Sequence, residues 1–108
     1  MYMMTLGELS ERMSKLSGWS LEENCIIKDL EFKDFKESMN FINKVAELSE
    51  KMNHHPDIII NFNRVRISLT THEEHGLSNR DFDLAEEIDK IDQIPEEKTE
   101  QSENADNK

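Results

Sequence analysis

The chain has 108 residues, 34% of them charged, and 24 acidic against 13 basic side chains give a net charge of −11. That length supports one small domain with a single core. The acidic balance argues against phosphate backbones and anionic lipid as partners, since both call for clustered Lys and Arg.

The lone Cys25 excludes an internal disulfide and suits a reducing compartment. The N-terminus lacks the basic start and long apolar run of a signal peptide, and no segment approaches membrane-spanning length. A soluble, cytoplasmic protein is therefore expected, with neither nucleic acid nor membrane as partner.

The first helix is predicted to begin at Thr5, which forms a capping-box pattern with Glu8, while Met4 and Leu9 have hydrophobic-staple spacing. Leu6, Leu9, Met13 and Leu16 make its apolar stripe, and Gly18 is a natural stop. Trp19 to Leu21 reads as a strand. It pairs across Glu22, Glu23 and Asn24 with a second, in which Ile26, Leu30 and Phe32 alternate with polar residues.

The second helix is capped by Asp34, with Glu37 at the box position. Its apolar residues are Phe35, Met39, Ile42, Val45, Ala46 and Met52, flanked by Phe41 and Leu48. That arc is wider than one sheet-facing stripe requires, and a second buried surface such as a subunit contact accounts for the excess.

The clearest hairpin follows Pro56. Ile58, Ile60 and Phe62 share one face, and after a turn at Asn63 and Arg64 so do Val65, Ile67 and Leu69. Arg64, Arg66, Ser68, Thr70 and His72 make the opposite face polar. A third helix begins at Ser78, with Asp81 at the box position, Leu77 and Phe82 at staple spacing, and Leu84, Ala85, Ile88 and Ile91 beyond.

The order is α-β-β-α-β-β-α. Helices separated by hairpins predict an α+β fold: an antiparallel sheet with one face covered and the other open to solvent or a partner. Residues 92–108 carry six acidic and two basic side chains, with Ile94 and Ala105 as their only aliphatics. They bury too little to offset ordering entropy, so a disordered acidic tail is expected after a domain spanning 1–91.

The residues suited to chemistry gather at two element ends. His54 and His55 close the second helix, because Pro56 disfavours helical geometry in the residue before it. One histidine there is explained by the helix dipole. A cap needs only one side chain, and adjacent residues point in different directions, so the two are expected to play different parts. Glu50 lies four residues before His54, placed to accept a hydrogen bond from its imidazole.

His72 follows the last strand directly, and Asp81 is fully explained by its capping slot, although capping and a site role are not exclusive. Histidine ordinarily titrates near neutrality, so such a cluster suits proton transfer or metal binding. His54, His55, His72 and His75 offer four imidazoles but lack the cysteine pairs or helical-turn spacing of a usual zinc motif, so no metal is expected. Nucleophilic catalysis is disfavoured, with Cys25 inside a predicted strand and no serine in an elbow context. No glycine-rich phosphate loop is present.

Taken together, Glu50, His54, His55 and Pro56, an aromatic at Phe62, then Thr71, His72 and Asp81 resemble the signature of the pterin-4a-carbinolamine dehydratase family. The resemblance runs from about Trp19 to Ile91 and includes residues 32–35, Val45 with Ala46, and residues 69–72. It implies a four-stranded antiparallel sheet with three helices on one face, assembled as a dimer or tetramer through the surplus apolar arc.

It also implies a pterin substrate and dehydration of 4a-hydroxytetrahydropterin to quinonoid dihydropterin, in tetrahydrobiopterin recycling, with no metal or redox cofactor. By position, His54 and His72 would transfer protons and His55 would position the pterin. Glu50 and Asp81 would orient the imidazoles or the ring, with Pro56 and Thr71 beside them. Phe62 stands where tyrosine is frequent and is expected to pack. Some relatives act as dimerisation cofactors of a transcription factor, so a protein partner on the helical face is the alternative, as is pterin binding or salvage.

Overall fold

The computed structural model describes residues 4–93; most of the expected acidic tail lies outside the described residues. Helix α1 (Leu6–Met13) opens with a complete capping box. The Thr5 hydroxyl accepts the Glu8 N–H, and the Glu8 carboxylate accepts the Thr5 N–H. The helix stops at Met13 rather than running to Gly18, yet Leu16 still packs on the core beside Met4, Leu9 and Met13. Leu6, expected in that stripe, is 83% exposed, because a helix of about two turns brings only one edge to the core.

Strands β1 (Trp19–Glu22) and β2 (Cys25–Glu31) pair antiparallel across a tight turn in which Glu23 takes a φ of 47°. Helix α2 (Phe35–Met52) is capped by the Asp34 side chain, which accepts the Glu37 N–H. The Glu37 carboxylate reaches one residue further back than a box requires, to the Lys33 N–H. Strands β3 (Asp57–Asn61) and β4 (Arg64–Leu69) form the second hairpin. A 3₁₀ turn (His72–Glu74) and α3 (Asn79–Gln93) follow.

The sheet order is β1-β2-β4-β3, antiparallel throughout. Val65, Ile67 and Leu69 of β4 and Ile26 of β2 meet Phe41 and Val45 of α2 and Phe82, Leu84, Ala85 and Ile88 of α3 in one core. All three helices cover that face. The other face is open and carries Asp29, Ile59 and Arg66. There the hydrogen bond from Arg66 holds the Asp29 carboxyl below its ordinary aspartate value.

Two expectations for the second hairpin need correcting. The β3–β4 turn is formed by Phe62 and Asn63, not Asn63 and Arg64, because Asn61 pairs with Arg64 and Asn63 is tied on both sides to Phe32. Phe62 therefore leaves the strand, takes a φ of 57° and is 63% exposed instead of packed.

The core-facing line of α2 is Ser38, Phe41, Val45 and Ser49. Phe35 and Ala46 are exposed, so the wide arc divides into a core face and a second face.

Lys28 points inward with Ile26 and is only 3% exposed. Its ammonium donates to Asp89 at 2.8 Å and to the Ser17 carbonyl at 2.6 Å, while Asp89 also accepts from the Trp19 indole at 2.7 Å. A charge can sit in this core because α3 supplies the matching carboxylate.

Candidate active site

Asn53 ends α2 in the left-handed conformation, with a φ of 53°. Its N–H bonds to the Glu50 carbonyl and the His54 N–H to the Ser49 carbonyl, the paired bonds of a Schellman motif. The motif fixes the backbone of His54 and turns the chain out of the helix just before His55 and Pro56. Asparagine tolerates this conformation better than most residues.

The turn sends the two histidines to different partners. His54 is buried, and its Nε2 lies 2.6 Å from Oδ1 of Asp81, itself fully buried in the first turn of α3. His55 is exposed, with Nε2 2.7 Å from the Glu50 carboxylate. The expectation that Glu50 would serve His54 is thus corrected. Helical i, i+4 alignment ends at Asn53, so the Glu50 carboxylate meets His55 instead.

Asp81 is the hub of the buried part. Its Oδ2 accepts the Thr71 hydroxyl at 2.8 Å and the Ser78 N–H at 3.0 Å, and Thr71 Oγ1 lies 2.7 Å from Ser78 Oγ. The Ser78 N–H contact is the backbone half of a capping box, so cap and site share one carboxylate. An antiparallel bridge between Thr71 and Gly76 closes the intervening loop and brings Thr71 back to Ser78.

A shallow cavity of about 270 Å³ lies over this hub, lined by Asn53, His54, His55, Thr70, His72, Glu73 and Arg80. His72, at the start of the 3₁₀ turn, joins that lining. Thr70 and His72 also line a neighbouring cavity of about 640 Å³ with Cys25, Asp57, His75 and Gly76, so His75 belongs to that one. A third cavity, of about 480 Å³ on the open sheet face, is walled by Asp29, Arg64 and Arg66 and holds no histidine.

Of the residues picked out in the sequence, His54, His55 and His72 come together around one cavity, with Asp81 and Thr71 behind His54 and Glu50 beside His55. Pro56 turns the chain into β3 and does not line the cavity. Among the described residues, no group of three or more His, Cys, Asp and Glu side chains is arranged to hold a metal ion.

Arg80 and Ser78 were missed as site residues. The Arg80 guanidinium donates to the Asn53 carbonyl at 3.2 Å and lies 4.0 Å from Glu73. Their signal was adjacency to Asp81 at a helix start, where capping offered a sufficient explanation.

Residues 3–91 match the family model described as pterin 4 alpha carbinolamine dehydratase. The chain belongs to that family. A candidate pterin-4-alpha-carbinolamine dehydratase of Sulfurisphaera tokodaii is 46% identical over 88 residues, covering 82% of this chain and 95% of that protein. Another, from Acidobacterium capsulatum, is 47% identical over 91 residues, covering 84% and 99%.

Among solved structures, a transcriptional coactivator/pterin dehydratase from Brucella melitensis superposes with a TM-score of 0.77. It is 32% identical, with 82% of this chain and 96% of that one covered. A pterin dehydratase-like protein described as a RuBisCO assembly factor in the alpha-carboxysome has a TM-score of 0.58 at 19% identity, over 71% of this chain and 89% of that one, a likeness of fold alone. The family dehydratase fold thus carries the histidine cavity at the meeting point of the α2 C-terminus, the end of β4 and the start of α3.

Proposed function

We propose that this family member dehydrates 4a-hydroxytetrahydropterin to quinonoid dihydropterin by histidine general acid–base catalysis, serving tetrahydrobiopterin recycling. The reaction breaks the C4a–O bond, removes the proton on N5 and forms the N5–C4a double bond with release of water. One group must take the N5 proton and another must protonate the departing hydroxyl. Imidazoles are suited to both tasks near neutral pH.

The observation that carries the reading is that His54 and His55, just after α2, and His72, in the 3₁₀ turn, line one cavity. His54, backed by a buried carboxylate, and His72 are the proton-transfer pair. His55, exposed and tied to Glu50, positions the pterin ring. Membership of the family and the names of its relatives support the substrate class.

The second face of α2 favours self-association as well. Phe35 and Ala46 lie on one line of the helix away from the core line and are both exposed, Phe35 to 50%. A dimer or tetramer closing over this face accounts for it, and a protein partner is the alternative occupant. Stopped-flow measurement of dehydration tests the activity. Wild type is expected to accelerate it over solvent, and His72→Ala is expected to lose about a hundredfold in kcat.

A further inference from the structure

We propose that Ser78 and Thr71 are positioning residues that hold His54, through Asp81, in the tautomer protonated on Nε2, so that Nδ1 is the atom offered to the ligand. The role of Nδ1 rests on reading the cavity as a pterin site; the tautomer does not.

Counting protons gives the chain its direction. A hydroxyl has one proton to donate, and a carboxylate has none. Thr71 Oγ1, 2.8 Å from Oδ2, donates to Asp81. Its proton is then committed, so at 2.7 Å it accepts from the Ser78 hydroxyl. Ser78 Oγ in turn accepts the Arg80 N–H at 3.2 Å, and the Ser78 N–H, which can only donate, fills Oδ2 at 3.0 Å. With Oδ2 taken by two donors, Oδ1 is left to accept from His54 Nε2 at 2.6 Å. Every link points toward the carboxylate, from Arg80 N–H through Ser78 and Thr71 on one side and from His54 on the other.

Burial makes this direction hard to reverse. Thr71 and Asp81 are fully buried, and Ser78 and His54 are each 7% exposed, so water cannot readily replace a link. Among the described residues, the only buried side-chain nitrogens and oxygens without a partner are Arg12 Nε and Glu74 Oε1. Among the described residues no hydrogen bond engages Nδ1 of His54, and it is not one of those sealed atoms, so we take it as the ring atom offered to the cavity that His54 lines. At Nδ1 the neutral ring carries a lone pair that can take the N5 proton. Protonation of the leaving hydroxyl falls to His72, the other member of the pair. Asp81 holds the ring and does not itself exchange a proton with the ligand, which makes Thr71 and Ser78 positioning residues two and three links away.

The test is nitrogen-15 NMR of the His54 ring in the full chain at alkaline pH, for wild type, Thr71→Val, Thr71→Ser and Ser78→Ala, with a urea midpoint for each. The wild-type spectrum is expected to show Nε2 protonated and Nδ1 bare. In Thr71→Val and Ser78→Ala the Nδ1-protonated form should rise to about a third of the population. Their kcat for dehydration should fall about fivefold with KM within about twofold, and Thr71→Ser should restore both.

A wild-type ring protonated on Nδ1 overturns the proposal. So do variants that lose stability while keeping the wild-type tautomer, because a purely structural role predicts that pattern. A wild-type protein with the expected spectrum that accelerates no dehydration overturns the pterin reading alone.

Discussion

Lys28 and Asp89 show what a single residue can demand of this fold. Removing the carboxylate takes the counter-charge from a buried ammonium and the acceptor from the Trp19 indole N–H and the Ser17 N–H. Asp89→Ala is therefore expected to cost about 3–5 kcal/mol in urea unfolding. A loss below about 1 kcal/mol would mean that the network is not closed as described. At this scale the sequence was partly legible. Different fates for His54 and His55 followed from their adjacency, and a capping role for Asp81 from its spacing. The partner of Glu50 did not, because it depends on the left-handed turn at Asn53. Nor did the inward lysine, because a strand pattern cannot announce a carboxylate sixty residues away.

Among the elements, the β3–β4 hairpin carries a local conflict. Phe62 sits at a positive φ that a bulky side chain disfavours, and its ring is largely exposed. Phe62→Asn, which suits that conformation, is expected to raise stability by about 0.5–1 kcal/mol. A loss of stability would show that the ring packs in the assembled protein. The order of elements, the three capping residues and the hairpin partners were all readable from local spacing. The turn register was not, because it is set by Asn63 bonding to Phe32, a contact between segments thirty-one residues apart. The same limit explains α2, whose two apolar faces merge into one broad arc until a sheet selects Phe41 and Val45.

For the whole molecule, the unpartnered face of α2 predicts a mass in solution greater than one chain. Ala46→Glu places a charge on that exposed line without touching the core, so light scattering should find smaller species while the fold is kept. A wild-type monomer at micromolar concentration would leave the second face unexplained by self-association.

The site is likewise a property of the whole. The C-terminus of α2, the end of β4 and the start of α3 are distant in sequence and converge only because β4 lies inside the sheet beside β2 and β3. That convergence puts His54 and His72 in the lining of one cavity, with Asp81 bonded to His54.

The most direct measurement is single-turnover stopped-flow dehydration of 4a-hydroxytetrahydropterin by wild type and by His54→Ala. Wild type should exceed the solvent rate, and His54→Ala should fall by about a hundredfold or more at matched folding. Equal rates for the two proteins, or no acceleration by either, would contradict the account.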